Sequence, residues 1–225
     1  MKILKLMLVA ALVAAVPVVV HSQADWEGMV KVKSTRLDNV WLLPNADLRT
    51  YTKVRFDPTE VAFRKNFQRD YNRSATIGRR IDDQEIARMA ERARTGFEEI
   101  FARAYRDAGW QVVDQSGPDV LRLRTGVVNL YINAPEQLSA GRSRSYSLEA
   151  GEATLVIEAR DSETGELLGR AIDNRLAGDY PGQRTSVSNI ADFEQLFQSW
   201  ARTSVRGLAE LKAQSPFDPS APRRK

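Results

Sequence analysis

A long apolar stripe constrains the fold of this chain most, because it predicts a helix with one side against a core. Its residues recur at three- and four-residue steps, the period of an amphipathic α-helix. They are Ile86, Met89, Ala93, Phe97, Ile100, Phe101, Ala104 and Ala108. Asp82 and Asp83 precede the stripe, where carboxylates accept free backbone N–H groups and complement the helix dipole. Gly109 follows it at the position of a C-terminal cap.

Alternation of polar and apolar residues predicts half-buried strands on both sides of this helix. The segments are Lys53–Asp57, Trp110–Val113, Val120–Ile132, Thr154–Arg160 and Leu167–Leu176. Before them, the short apolar run Val40–Leu43 predicts an edge strand or a docked segment. Of the alternating segments, Thr154–Arg160 and Leu167–Leu176 are neighbours in the chain. The last two flank a turn over Asp161–Glu166, in which Gly165 can adopt the positive φ of a tight connection, so we expect a β-hairpin. An irregular count at Gly126–Val128 predicts a β-bulge. Residues 25–40 predict an irregular lead-in.

A second amphipathic helix is predicted to begin near Ser188–Asn189. Its apolar positions are Ile190, Phe193, Leu196, Phe197, Trp200, Leu208 and Leu211. The order of strand, helix, several strands and helix favours an α+β fold, with a two-layer, mainly antiparallel sheet and two amphipathic helices packed on one face. We predict one domain over residues 25–212, followed by a disordered basic tail over 213–225 that is rich in proline, serine and arginine.

The N-terminus has the three-part pattern of a secretory signal peptide. A cationic start precedes Leu6–Val20, an apolar run that is shorter than the about 20 residues of a membrane span. Small residues follow, and we expect cleavage after Ser22 or after Ala24. Residues 1–24 are therefore predicted to be a cleavable signal peptide, with the mature protein periplasmic or secreted and without a transmembrane segment. An uncleaved anchor is the alternative.

Catalytic side chains are scarce in this sequence. There is no cysteine, and the one histidine, His21, lies inside the predicted signal peptide. This composition argues against thiol nucleophiles, serine triads and zinc sites, so we expect no metal and no cofactor. A pair of carboxylates, as glycosidases use, stays open. The candidates are Asp57, Glu60, Glu158 and Asp173.

A polar, arginine-rich segment over residues 64–81 predicts a surface loop that offers a candidate binding surface. Its cations are interleaved with Phe67 and Tyr71, a pattern that can bind acidic polymers. The candidate partner- or anion-binding residues are Arg64, Arg69, Tyr71, Arg73, Arg79 and Arg80. For an exported protein we expect an envelope protein or an anionic envelope component as partner, and no nucleic acid. A solvated loop without a binding role is the alternative.

Three stretches carry motifs that have a counterpart in a known family. Glu158–Arg175 contains Asp-Ser-x-Thr-Gly-Glu followed by Asp-x-Arg, and Leu48–Pro58 contains Leu-x-x-Tyr-x-Lys-Val-x-x-Asp-Pro. With the apolar segment Phe193–Ala201, they resemble a bacterial envelope family, the domain of unknown function numbered 3313, over about residues 40–212. The resemblance implies an envelope location and no assigned reaction. Members are typically lipoproteins, and the missing cysteine implies a soluble periplasmic protein here.

These observations predict a non-catalytic exported envelope protein that binds a protein or an envelope component. The export pattern and the missing catalytic residue types support this interpretation. The alternative is a carboxylate-dependent hydrolase that acts on a periplasmic glycan, since such an enzyme needs only Asp and Glu. The oligomeric state stays open.

Overall fold

A computed structural model describes residues 28–75, 80–132, 145–147, 151–178, 182–184 and 186–220. The predicted signal peptide lies outside these residues. The described helices are α1 (Phe67–Ser74), α2 (Asp83–Asp107) and α3 (Ser186–Ala213). The described strands are β1 (Val30–Val32), β2 (Asn39–Leu42), β3 (Lys53–Phe56), β4 (Glu60–Phe63), β5 (Gln111–Val112), β6 (Val120–Ile132), β7 (Ser145–Ser147), β8 (Gly151–Asp161), β9 (Leu167–Ala177) and β10 (Gly182–Arg184).

Eight of these strands form one open sheet in the order β1-β2-β9-β8-β6-β3-β5, with β4 also paired to β6. Neighbours from β1 to β6 in this order are antiparallel, whereas β3 and β4 run parallel to β6 and β5 runs parallel to β3. β7 and β10 form a separate antiparallel pair. The prediction of a mixed fold with a mainly antiparallel sheet is therefore confirmed.

The long strand β6 positions the segment between β3 and β4. β3 pairs with the first residues of β6, from Val120 to Leu123, and β4 pairs further along, from Gly126 to Leu130. The connection between β3 and β4 contains Asp57, whose backbone N–H donates to the carbonyl of Leu123 at 3.0 Å. This arrangement brings Asp57 beside the middle of the sheet.

The predicted hairpin is confirmed as β8 and β9. The side chain of Asp161 organises its turn by accepting hydrogen bonds from the backbone N–H groups of Glu163 and Thr164 at 3.0 and 2.7 Å. Gly165 has a φ of 76°, as the turn requires. The bulge in β6 lies between Val128 and Tyr131, two residues later than predicted, because Asn129 takes the left-handed conformation at a φ of 52°.

Helix α2 begins and ends as its sequence predicts. Asp82 accepts a hydrogen bond from the backbone N–H of Glu85 at 2.7 Å, and the Glu85 side chain accepts from the Asp82 N–H at 3.0 Å. This reciprocal pair is a capping box. Gly109 follows the helix with a φ of 89°.

Apolar residues from the sheet, α2 and α3 form the main core. Phe97 and Phe101 of α2 stack with ring centroids 4.0 Å apart, and Phe97 meets Phe197 of α3 edge-on at 5.3 Å. Leu121 of β6 and Leu155 of β8 lie in the same cluster and are almost fully buried. Side chains alternate along a strand, so residues next to these leucines point to the other face of the sheet.

The prediction of a surface loop over residues 64–81 is wrong for α1. Phe67 and Ile81 are each 2% exposed and pack with Met89 in a second, smaller cluster. Phe67 and Tyr71 are four residues apart, so one turn of helix places both on the same side. Burial of these apolar residues favours a short helix where the overall polarity indicated a loop.

Main-chain hydrogen bonds also hold described residues near both ends of the predicted domain. In the expected irregular lead-in, β1 pairs with β2 at the edge of the sheet. In the expected disordered tail, the backbone of Phe217 accepts a hydrogen bond from Asn45 at 2.8 Å and donates one to Ala46 at 3.0 Å. Phe217 is thus anchored by main-chain hydrogen bonds, which composition does not reveal. Residues 221–225 of the predicted tail lie outside the described residues.

Candidate functional site

The register of the sheet gathers arginines on the face that points away from the main core. Leu121 and Leu123 of β6 are buried in the core, so Arg122 and Arg124 lie on the other face. Arg55 of β3 and Arg160 of β8 are the direct cross-strand partners of Arg122. Glu158 of β8 is the direct partner of Arg124 and of Arg170 on β9. We call this surface the arginine face; its charged residues are Arg55, Arg122, Arg124, Arg160, Arg170, Asp57, Glu60 and Glu158.

Asp57 is bound by two of these arginines. Arg122 donates from Nε to both carboxylate oxygens at 2.9 and 3.0 Å, and its Nη2 lies 2.7 Å from Oδ2. Arg55 donates from Nη2 at 3.3 Å. Partial burial alone would raise the pKa of Asp57, but the hydrogen bonds and charges of Arg122 and Arg55 outweigh it and hold that pKa below its usual range.

Glu158 is the most buried acid of the arginine face, at 4% exposure. It accepts hydrogen bonds from Arg160 Nε at 2.9 Å and from Arg170 Nη2. Burial would raise the pKa of Glu158, yet the charge of Arg170 and the hydrogen bond from Arg160 together lower it. This carboxylate is therefore held in its ionised form.

Arg124 lies among three carboxylates at longer distances. Its guanidinium nitrogens are 3.4 Å from Glu60, 3.6 Å from Asp57 and 3.7 Å from Glu158. The structure thus brings together Asp57, Glu60 and Glu158, three of the four residues that the sequence analysis named as candidates for a catalytic pair of carboxylates. A general acid in a glycosidase needs a raised pKa, and the pKa values of Asp57 and Glu158 are lowered instead.

Asp173, the fourth candidate, lies elsewhere and has a structural environment. It is 2% exposed and accepts hydrogen bonds from Trp200 Nε1 at 2.7 Å and from Arg175 Nε at 2.6 Å. Asp38 donates its backbone N–H to the same carboxylate at 3.0 Å. A polar groove of about 460 Å³ runs beside it, lined by Ser34–Asp38 and Arg175.

The binding residues predicted from sequence lie on α1 and its flanks. Arg69 and Arg73 are exposed and one helical turn apart, and Arg69 Nη2 contacts Asp70 at 3.0 Å. Arg64 is exposed and holds its guanidinium over the ring of Tyr131, 4.1 Å from the centroid. We call the exposed cations here the α1 surface; they are Arg64, Lys65, Arg69, Arg73 and Arg80.

Two of the predicted residues do not contribute to the α1 surface in the described part of the chain. Tyr71 is half-buried, with its ring centroid 6.3 Å from that of Phe67, so it packs on the apolar side of the helix. Arg79 lies outside the described residues. Arg69 and Arg73 of the α1 surface therefore lie on a helix that an aromatic cluster holds in place, and the other cations flank this helix.

The arginine face was missed at the sequence level. Alternation placed Arg122 and Arg124 on one side of a strand, but the residues beside them come from β3 and β8. Because β3 pairs in parallel with a strand about 65 residues later, no local spacing reveals this neighbour.

The described ranges contain no group of three or more His, Cys, Asp or Glu residues arranged to hold a metal ion. Within those ranges, each helix is too short or too polar to cross a bilayer.

Comparison with known proteins gives one family and several distant structures. The family model DUF3313, described as a protein of unknown function, matches residues 21–204. No curated protein matches the sequence. Similar solved structures include the PelC dodecamer from Paraburkholderia phytofirmans, 12% identical, with 73% of this chain and 95% of that chain covered and a TM-score of 0.37.

Two further structures show the same level of similarity. Protein XCC0632 from Xanthomonas campestris is 13% identical, with 76% of this chain and 91% of that chain covered and a TM-score of 0.43. A minor lipoprotein from Acinetobacter baumannii is 10% identical, with 71% and 94% covered and a TM-score of 0.32. Identities and TM-scores this low carry no information about ligand or assembly.

Proposed function

This chain belongs to the DUF3313 family, and we propose that it is a non-catalytic, exported envelope protein that binds phosphate-bearing lipid headgroups. The observation that carries the proposal is the charge of the α1 surface. Arg64, Lys65, Arg69, Arg73 and Arg80 are exposed there. Asp70 is the acid within α1 itself, and it contacts Arg69. Asp82 and Asp83 are exposed beside Arg80, so these five cations face three acids and the surface keeps a positive excess.

The packing of α1 supports a binding role because it orients these cations. Phe67 stacks on Phe63 with centroids 4.9 Å apart and meets Tyr131 edge-on at 5.8 Å. Its side chain is almost fully buried, so the helix is fixed by its apolar side and its charges point outward. Basic residues near an anionic membrane surface contribute about 1 kcal/mol each, so several fixed cations together give useful affinity.

The alternative, a carboxylate-dependent hydrolase of a periplasmic glycan, has one observation in its favour. Asp57, Glu60 and Glu158 converge on Arg124 within 3.7 Å. The arginine pairs of Asp57 and Glu158 oppose it, since they stabilise the ionised form that cannot donate a proton. The variants Asp57→Asn and Glu60→Gln distinguish a hydrolase from a non-catalytic binding protein. Glycan turnover that disappears in these variants at an unchanged melting temperature would favour the hydrolase.

A two-layer arrangement, with α2 and α3 on one face of the sheet, is part of the proposal. Support comes from the edge-on contact of Phe97 with Phe197 and from the shared cluster with Leu121 and Leu155. Phe97→Ala and Phe197→Ala should therefore couple in a double-mutant cycle by about 0.5–3 kcal/mol. Additive free energies of unfolding would contradict the shared layer.

Export is proposed from the N-terminal pattern. Protein recovered from the periplasmic or envelope fraction should have an intact mass that begins at Gln23 or Asp25. A mass that includes Met1 would show instead that the apolar segment is kept as an anchor.

Cell fractionation tests the binding role of the α1 surface. A triple variant with Arg64, Arg69 and Arg73 changed to Gln should move from the membrane pellet to the soluble periplasmic fraction. The matched control changes Arg103, Arg106 and Arg202, which are also exposed, to Gln and should fractionate like the wild type. Arg103 lies 20 residues beyond Asp83 along α2, about 30 Å from the end of the helix near α1. Equal release of both variants would contradict the proposal.

A further inference from the structure

We infer that the arginine face contains a separate site for a phosphoryl group, formed by Arg55, Arg122 and Arg160 on three adjacent strands. Arg122 of β6 is the direct cross-strand partner of both Arg55 on β3 and Arg160 on β8. Strands in a sheet are about 4.8 Å apart, so the three side chains start from a row roughly 10 Å wide. This site is distinct from the α1 surface and does not depend on its role.

Asp57 and Glu158 accompany the row and offset part of its positive charge. Like charges directly opposite each other in a sheet destabilise the pairing. The arginine face has five arginines and three carboxylates, and two of those carboxylates, Asp57 and Glu158, already contact two or more arginines each. Positive charge therefore remains in excess, and a bound dianion offsets it.

The three guanidinium groups are held in place by neutral and acidic partners, which prepares them to bind. Arg55 donates from Nη1 to Ser116 Oγ at 2.7 Å, and Arg160 donates from Nη1 to the carbonyl of Gly165 at 3.0 Å. Arg122 uses Nε and Nη2 on Asp57, and its Nη1 makes no hydrogen bond within the described residues. The side chains are 24%, 16% and 33% exposed for Arg55, Arg160 and Arg122, so a small solute can reach them.

The charges around the row define the position of the ligand and favour a phosphoryl group. Asp57 and Glu158 lie on one flank and repel an anion. The other flank, near Arg55, is closer to neutral, because it carries the Ser116 hydroxyl and Lys53, whose Nζ is paired with Asp119 at 3.0 Å. A phosphoryl group presents three terminal oxygens to three guanidinium groups, and it would accept from the N–H groups that Asp57 and Glu158 do not use, among them Arg122 Nη1. A carboxylate has only two oxygens and would leave one arginine without a ligand atom.

Calorimetric titration of the purified mature protein at constant ionic strength tests the site. The probes are inorganic phosphate, glycerol 3-phosphate and acetate. Both phosphates should bind saturably and acetate should not. Tighter binding of glycerol 3-phosphate would identify a lipid-headgroup monoester as the source of the phosphoryl group, and equal binding would identify free phosphate.

Two variants and one control decide whether the row is responsible. Arg55→Gln should weaken phosphate binding about tenfold, because one charge-assisted pair is lost. Arg122→Lys keeps a positive charge beside Asp57 but loses the Nη1 donor that points away from Asp57, and it should weaken binding as well. The control Arg49→Gln removes an exposed arginine paired with Asp47 and should bind like the wild type.

The inference is overturned by any of three results. These are no saturable phosphate binding by the wild type, wild-type affinity in both folded row variants, and loss of binding only when the α1 surface is neutralised. Melting temperatures measured in parallel identify variants that are folded. If Arg55→Gln is unfolded, Arg122→Lys alone gives the answer, since its charge still accompanies Asp57.

Discussion

Trp200 donates its indole N–H to the carboxylate of Asp173 over 2.7 Å in the interior of the protein. The side chain of Trp200 is fully buried, and Asp173 is 2% exposed. The same carboxylate accepts hydrogen bonds from Arg175 and from the backbone of Asp38. One buried acid therefore joins α3, β9 and the segment before β2. The Asp-x-Arg motif of β9 and the helix α3 both carried the family resemblance in the sequence. In the structure, Asp173 connects them through hydrogen bonds to Arg175 and Trp200.

Removing the indole donor should destabilise the protein. Trp200→Phe is expected to cost about 1.5–3 kcal/mol, because a hydrogen bond to a charged acceptor is lost. Trp200→Ala should cost about 3–5 kcal/mol, since it also leaves a cavity in the core. Urea unfolding at pH 7 measures both. The control is Trp110→Phe, whose indole N–H makes no hydrogen bond within the described residues. Equal losses in the two Phe variants would contradict the assigned role of Asp173.

Substituting two glycines by alanine should have opposite effects on stability, because one glycine is closely packed and the other lies in an open helical position. A Cβ at Gly151 would collide with the carbonyl of Tyr131 and lie 2.8 Å from Phe193 Cζ, so the backbone of β8 must shift. A Cβ at Gly207 in α3 meets nothing within 4 Å. We expect Gly151→Ala to lower the melting temperature strongly. Gly207→Ala should raise stability by about 0.5–1 kcal/mol. The prediction fails if Gly151→Ala melts at or above the wild-type temperature.

The acidic side of the stability profile should depend on Glu158. Its folded-state pKa is lowered, so its stabilising contribution is fully present above the unfolded pKa of about 4.3 and is lost as pH falls through the folded value. Glu158→Gln leaves buried arginine charges without their anion and should cost about 3–5 kcal/mol at pH 7.

Free energies of unfolding measured between pH 7 and pH 3 test the direction of this pH dependence. The difference between wild type and Glu158→Gln should shrink as pH falls below about 4.3, because the unfolded wild-type chain then binds a proton at Glu158 more readily than the folded protein does. Glu60→Gln is the control, since Glu60 is 67% exposed at 3.4 Å from Arg124 and should change stability little. A difference that stays constant over this range would contradict the ionised, paired state of Glu158.

Local patterns predicted the elements that depend on local interactions. The apolar stripe of α2 and its cap at Asp82 follow from helix period and N–H satisfaction. The β8–β9 hairpin follows from Gly165 and the side chain of Asp161, which bonds within its own turn. Helix α1 did not follow, because it is eight residues long and its apolar contacts depend on Met89 and Tyr131 from other elements.

The arginine face could not be predicted for a different reason. Arg55 and Arg122 are 67 residues apart and meet only because β3 and β6 run parallel. A sequence fixes which residues of a strand share a face, but the neighbouring strand and its register depend on the whole sheet. The same holds for the anchored tail, which uses the backbone of Phe217 and no motif.

Binding of the mature protein to vesicles rich in phosphatidylglycerol tests the central claim most directly. The wild type should bind these vesicles and not zwitterionic ones, and added salt should weaken binding. Neutralising Arg64, Arg69 and Arg73 removes three cations at about 1 kcal/mol each, so affinity should fall by about 100-fold. The control at Arg103, Arg106 and Arg202 should bind like the wild type. Equal affinity of the α1 variant and the wild type would contradict the account.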